Sequence, residues 1–543
     1  MTFRLLGRVA AYSFVLIIAA LACAAQRPTM TTHVPEEVSS GVAPRIGFLP
    51  PDQRIGLAVS LPLRNEEELE LLLEDIYNPH SPNYHHYLSV KEFTERFGPT
   101  ESDYAALQSY AAANGLKVVD KMANRMVLDI EGPVSNVESA LHVNMAVYQH
   151  PAQARSFFSA DREPSLDLDV PILHISGLDN EVLPVEKNLV GSASVTSSKT
   201  TGSGPGGSFY GSDLRTAYYG SGSLNGSGQK LAIFAYKGYN SSDINTYFNN
   251  EGQPNTVPIK TISVNGASTT CGSGCTDVEQ SLDIEQALSM APGLNQLLFY
   301  VGKSDVSIFN QMAADNSASS ISCSYGWKKD QSSLDPIFEE MASQGQSVFI
   351  ATGDNGSATT ASVTWPSDDA WVTAVGGTVL TTKSAGGAWS SETGWSQSAG
   401  MPSKNNIPIP SYQQLATVIT GSNQGSNTLR NIPDVSSESA AEQYFCAVGT
   451  CRNQGGGTSY AAPLWAGIAA MMNQQAASNG EPNVGFLNPM LYDIGVGTSF
   501  TSDFHDIKSG SNGEYSAVAY YDLVTGWGSP IAANLISGAV PKR

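Results

Sequence analysis

Four short apolar runs, at 231–235, 297–301, 320–324 and 347–351, set the tightest limit on what this chain can fold into. Several lack the alternation of a half-exposed strand, the pattern of parallel strands covered on both faces. Helical segments are expected between them at 278–290 and 335–343. The expected class is therefore α/β, a doubly wound parallel sheet whose functional groups gather at the carboxyl ends of the strands.

The chain upstream reads differently. Helices expected at 65–77, with Leu69, Leu72, Leu73 and Ile76 on one stripe, and at 100–114, ended by Gly115, mix with strands at 125–130 and 145–149, an α+β pattern. Of the eight histidines, seven precede residue 190 and only His505 follows it. A Ser/Thr/Gly-rich run at 191–208 lies at that shift and reads as a flexible, protease-accessible linker. The expected division is an export signal at 1–25, an N-terminal domain at 26–190, the linker at 191–208 and a large domain at 209–543. Arg4 and Arg8, the short apolar run 12–21 and the small residues Ala22 to Ala25 make the signal. A membrane anchor or a lipidated Cys23 are the other readings of that segment. No later run is long and apolar enough to span a bilayer.

A net charge of −21 without basic runs argues against a nucleic-acid partner. Sparse charge also limits electrostatic strain when carboxylates protonate, which suits an acidic milieu. Cys271 with Cys275, and Cys446 with Cys451, could close small loop disulfides in an oxidising compartment. Zinc ligation is the competing reading, and Cys323, in an apolar run, reads as a buried thiol.

Reactive chemistry is expected in three places. Gly455-Gly456-Gly457-Thr458-Ser459-Tyr460-Ala461-Ala462-Pro463 puts a serine between a glycine turn and a small-residue helix. Its oxygen is expected exposed in the positive field of a helix start. A plain N-cap is the alternative. A nucleophilic serine needs a base, and His505 stands alone downstream, in a segment better suited to a metal loop. Glu279 and Asp283, four residues apart, share one face of the expected helix; two close carboxylates raise one pKa and can share a proton. The alternatives are a capping box between Thr276 and Glu279 and a satisfied buried Asp283. Asp354 ends the 347–351 run in a Gly-flanked turn. As an acid it could donate to an oxyanion, which predicts activity well below neutrality; an Asx-turn is the alternative.

Together these motifs resemble the sedolisin family of serine-carboxyl peptidases, kumamolisin-like members included, over nearly the whole chain. Asn78-Pro79-His80-Ser81-Pro82-Asn83-Tyr84-His85-His86-Tyr87-Leu88, the 93–99 stretch, Gly376-Gly377-Thr378 and 430–435 add to the match. The resemblance implies a subtilisin-like catalytic domain behind an activation prodomain. It implies Ser459 as nucleophile, Glu279 and Asp283 as the catalytic pair and Asp354 as the oxyanion group. It implies Ca2+ held by Asp506, Asp522 and the carbonyls of Ile507, Val518 and Tyr520, where the family usually has Gly at the last two positions. Ala235 and Tyr325 stand where kumamolisin-like members extend the carboxylate chain with Glu and Trp, so an extended proton relay is not expected. The implied activity is that of a secreted, acid-active endopeptidase made as a self-processing zymogen. Its partners would be protein or peptide substrates and its own prodomain, as inhibitor and chaperone, without stable membrane association. A catalytically dead binding protein on the same fold is the competing reading.

Overall fold

The computed structural model describes residues 32–190, 201–327, 331–357, 364–440 and 442–540. The expected export signal at 1–25 and the first part of the expected linker, 191–200, lie outside them.

The expected parallel sheet is present. Its order runs Ile259–Ser263, Gln296–Val301, Lys230–Ala235, Ser320–Cys323, Ser347–Ala351, Thr373–Thr382 and Trp389–Gly394, with Val435–Glu438 also on Thr373–Thr382. All pairings are parallel except that of Trp389–Gly394. The apolar runs form its inner strands because both faces are covered: Leu231, Ile233, Leu297, Phe299, Ile321 and Phe349 are all fully buried. Two helices matter most for the site. Val278–Met290 has every residue from Glu279 onward buried, polar ones included. Ala461–Asn479 is rich in Ala and runs through the core beside it. At their crossing a Cβ on Gly467 would lie 2.8 Å from Met290 Cβ, so only glycine lets the two backbones come so close.

The N-terminal part is α+β, as expected. A four-stranded antiparallel sheet, ordered Lys117–Lys121, Val127–Pro133, Arg54–Ser60, His174–Ser176, carries helices Glu101–Ala113 and Val134–Leu141 on a core of Leu57, Val59, Leu107, Leu128, Val137 and Leu141. The helix Glu66–Ile76 buries Leu69, Leu73 and Ile76. Leu69 and Leu73, with Phe93 and Phe97, belong to the same apolar cluster as the large domain. Polar contacts cross the same boundary: Asn124 Nδ2 donates to Asn310 Oδ1 and to Glu340 Oε2, each at 2.7 Å, and Ser307 Oγ to Asp129 at 2.6 Å. Residues 201–208 lie against the large domain, where Thr382 N donates to Thr201 Oγ1 and Ser203 Oγ to Asp213. Of the two readings left open for the cysteine pairs, disulfides form, Cys271–Cys275 and Cys446–Cys451, and Cys323 is a buried free thiol. No helix among the described residues is long and apolar enough to cross a membrane.

Candidate active site

Ser347–Ala351 ends at the sheet's carboxyl edge and turns through Gly353, at φ +117°, into Asp354. The bonds of Asp354 do not go to its own turn. Its Oδ1 accepts from the Thr458 N–H at 2.8 Å and from Thr458 Oγ1 at 2.9 Å. Oδ2 is buried without a hydrogen-bond partner among the described residues. Burial pushes this carboxyl up to about 7, against the pull of the two Thr458 bonds and the Lys187 ammonium. It therefore keeps its proton closer to neutrality than an unperturbed aspartate does.

Thr458–Tyr460 is a single 3₁₀ turn opening the long core helix, and it carries Ser459. The expected exposed hydroxyl is instead fully buried. The reason is steric: the segment around Lys187 lies over it. The Ser459 N–H donates to the Lys187 carbonyl at 3.1 Å, and Ser459 Oγ donates to the same oxygen.

Glu279 and Asp283 sit one turn apart on Val278–Met290, both fully buried. Asp277, not Thr276, is the N-cap, and it makes no side-chain cap bond. The capping box is thus absent, and Glu279 turns to the site, where its Oε2 accepts from Asn188 Nδ2 at 2.5 Å. Asp283 Oδ1 accepts from Ser324 Oγ at 2.7 Å. One oxygen on each carboxyl, Glu279 Oε1 and Asp283 Oδ2, is left without a hydrogen-bond partner among the described residues. Burial raises both groups well above the ordinary carboxylate range; Asp283 lifts Glu279 further, and the charge of Glu186 lifts both. The nearby Ser459 hydroxyl favours the Glu279 anion. A hydroxyl has one proton, though, and here it is given to the Lys187 carbonyl.

The segment covering the site is bound as an extended strand. Val185–Glu186 pairs antiparallel with Tyr325–Gly326, and Leu189–Val190 pairs antiparallel with Gly456 and Gly455. Between them the Lys187 N–H donates to Ser324 O at 3.0 Å. Gly457, at φ +131°, is where the carbonyl comes closest. A Cβ there would lie 2.6 Å from Lys187 O and 2.8 Å from Asp354 Oδ2. Those two oxygens thus converge on the space a side chain would fill.

Nothing in the sequence marks Lys187, Asn188, Ser324 or Glu186, because a strand bound in a cleft has no local signature of the cleft. At the positions where a relay would continue, the Tyr325 hydroxyl accepts from Gln280 Nε2, and Ala235 ends its strand with no polar group. Glu186 supplies a negative charge nearby and is ion-paired with Lys237 at 2.7 Å. His505 stacks on Trp389 with ring centroids 3.8 Å apart, so its ring is occupied elsewhere.

Five oxygen donors are expected to take Ca2+. Asp506 Oδ1 accepts from the Tyr520 N–H at 3.0 Å, and Asp522 Oδ2 from the Val518 N–H at 2.9 Å, so the two carboxylates bracket that loop. Tyr520 adopts φ +68°, the left-handed backbone that explains glycine at this position in the resemblance. Asp522 is fully buried, and no Lys or Arg pairs with it among the described residues; Lys508 pairs with Asp506 at 3.1 Å. Among the described residues no group of three or more His, Cys, Asp or Glu side chains is arranged to hold a metal ion. A metal here would therefore rest on two carboxylates plus backbone carbonyls, a hard-oxygen set that fits calcium.

Comparisons with known proteins agree with this layout. The family model described as the pro-kumamolisin activation domain matches residues 43–181, and that of the subtilase family matches residues 298–489. The chain is similar to sedolisin of Pseudomonas sp. (strain 101), at 28% identity over 584 residues, covering 98% of this chain and 96% of that one. It is similar to kumamolisin of Bacillus sp. (strain MN-32), at 28% identity over 527 residues, covering 90% of this chain and 92% of that one. A solved structure of Pseudomonas sedolisin, described as a serine-carboxyl proteinase complexed with two molecules of pseudo-iodotyrostatin, matches with a TM-score of 0.52 at 27% identity. It covers 62% of this chain and 98% of that one.

Proposed function

From the premise that this chain belongs to the sedolisin family of serine-carboxyl peptidases and carries an activation prodomain, we propose that it is a secreted, acid-active endopeptidase made as a self-processing zymogen. In this reading 26–190 is the prodomain, 209–543 the peptidase domain, and the stretch between them the processing region. One observation carries it: a peptide carbonyl, that of Lys187, rests on the Ser459 amide and hydroxyl, with Glu279, Asp283 and Asp354 buried around it.

The mechanism follows from where protons can sit. Glu279 takes the Ser459 proton as Oγ attacks the substrate carbonyl, and later gives it to the leaving amine. Asp283, anchored by Ser324 and coupled to Glu279 by shared charge, orients it and keeps its affinity for the proton high. The oxyanion is met by the Ser459 N–H and by protonated Asp354, whose Oδ2 has no other partner to leave. Thr458 holds the other Asp354 oxygen, so the donor arrives already oriented. Water then resolves the acyl-enzyme by the same proton route. Calcium, when bound by the carboxylates of Asp506 and Asp522 and the carbonyls of Ile507, Val518 and Tyr520, neutralises buried charge and adds its binding energy to folding.

The test is acidification of the purified precursor. Wild type is expected to cut itself between about residues 185 and 210, where a connecting backbone can be reached by a protease. The Ser459→Ala precursor should stay full length. A Ser459→Ala protein that matures at the wild-type rate, with no other protease present, removes Ser459 as the nucleophile.

A further inference from the structure

The side chain of Lys187 is almost wholly buried, which is unusual for an ammonium group on a chain segment destined for removal. Its Nζ donates to the Ala351 carbonyl at 2.6 Å. Its stem passes Gly353, where even a Cβ would come within 4.0 Å of Lys187 Cε. The carboxyls of Asp354 and Asp368 favour its positive charge. Asp368 is fully buried and fixed by Ser403 Oγ at 2.7 Å and by Asn405 Nδ2 at 2.9 Å. The lysine therefore fills a slot floored by a backbone carbonyl, with acid nearby, on the acyl side of a carbonyl already resting on Ser459. On the other side Asn188 begins the leaving strand, with its side-chain amide on Glu279.

We propose that the pocket next to the reacting carbonyl selects lysine: the enzyme cuts peptide bonds that follow a lysine, and its first self-cut is Lys187–Asn188. This rests on the peptidase reading above and names the substrate class of that same site. The attack forms the Ser459 ester of Lys187 and frees the Asn188 amine, which takes the proton held by Glu279; water then releases the Lys187 carboxylate. A buried ammonium favours this slot only if its charge is met, and here the Ala351 carbonyl accepts from it and the Asp368 carboxylate favours its charge. Burial lowers the ammonium to about 8, so it stays charged throughout the acid range. An aliphatic side chain of the same length would take the Nζ–H donor away from the Ala351 carbonyl, and a glutamate would bring like charge toward Asp368. Discrimination by an unmatched buried polar site exceeds that by a missing methylene.

Two measurements test it. Intact masses taken during acidification should show first fragments ending at Lys187 and beginning at Asn188, and Lys187→Glu should slow that first cut by at least about tenfold. Mature enzyme should cleave peptides spanning 183–192 with Lys at position 187 at least about tenfold faster in kcat/KM than those with Leu or Glu there. Asp368→Asn should narrow the Lys-to-Leu ratio, a comparison within one preparation that a partly unfolded variant does not distort. Equal cleavage of the Lys and Leu peptides, or first fragments in which Lys187 and Asn188 are still joined, overturns the proposal while leaving the peptidase reading intact. If the Ser459→Ala precursor matures, or wild type cleaves no peptide at all, the peptidase reading itself fails.

Discussion

Asp354 and Gly457 show how much the site asks of single residues. Gly457 combines a backbone at φ +131° with an approach of 2.6 Å to the bound carbonyl from its Cβ position. Gly457→Ala therefore meets both strain and a clash, and should lower turnover by about a hundredfold or more with the fold retained; wild-type turnover would show that the strand does not bind this way. For Asp354 the pH sign is definite. With a carboxyl pushed up to about 7 under the bound strand, the donating acid is present below that value and lost above it. The self-cut should thus persist closer to neutrality than the well-below-neutral limit read from an unperturbed aspartate. Asp354→Asn keeps an N–H that does not titrate. It should be slower at the optimum yet lose less rate than wild type as pH rises from about 6 to about 8, with the Glu279–Asp283 pair sharing the rest of the limb. Asp354→Ala should lose on the order of 10²–10³ in turnover at every pH. Rates for the alanine variant matching wild type would sink the oxyanion role.

Secondary elements account for which parts of this site could be read in advance. Val278–Met290 was legible to the residue, and so were Met145–Gln149 and Ser347–Ala351, because short apolar runs and helical spacing are local signals. Glu279 and Asp283 were legible as a pair for the same reason: spacing of four on a helix fixes a shared face. Burial of Ser459 was not legible, since it depends on a strand almost three hundred residues earlier in the chain. Nor was the support behind the Val278–Met290 helix, where Asp277 accepts from Asn240 N and Nδ2 on one side and the Val448 N–H, within the Cys446–Cys451 hairpin, on the other. The C-terminal loop was legible only through its likeness to a family, since two aspartates sixteen apart have no period of their own. It carries its own test. Chelator should lower the melting temperature of the mature enzyme, Asp522→Ala should lower it similarly, and chelator added to that variant should do little more. A wild type indifferent to chelator would remove calcium from this loop.

At the scale of the whole molecule, the two domains are joined by a boundary rich in buried acid. Glu340, fully buried beneath Asn124 of the prodomain, is pushed up to about 8 by burial. Glu339 reaches about 8 through burial and the charges of Asp335, Glu70 and Glu66, the last two from the prodomain. Asp129, held by Ser307, is also raised. The direction of the linkage follows. Below the unfolded carboxylate range, near ~4.3, both states bind the proton; between there and about 8 only the folded precursor keeps it, so stability falls as pH rises through that window. Acid therefore tightens this boundary, and acidification alone cannot release the prodomain by charge repulsion here. On the self-processing reading proposed above, release comes from cutting the segment that lies in the cleft. The Ser459→Ala precursor, which cannot cut, separates the two effects. Its melting temperature should be several degrees lower at about pH 8 than at about pH 4.5, and Glu340→Gln, which keeps an acceptor for Asn124 without a titrating proton, should flatten that slope. A precursor that melts at higher temperature as pH rises toward 8 would mean that these carboxyls are charged at the boundary, and acid would then loosen the prodomain rather than hold it.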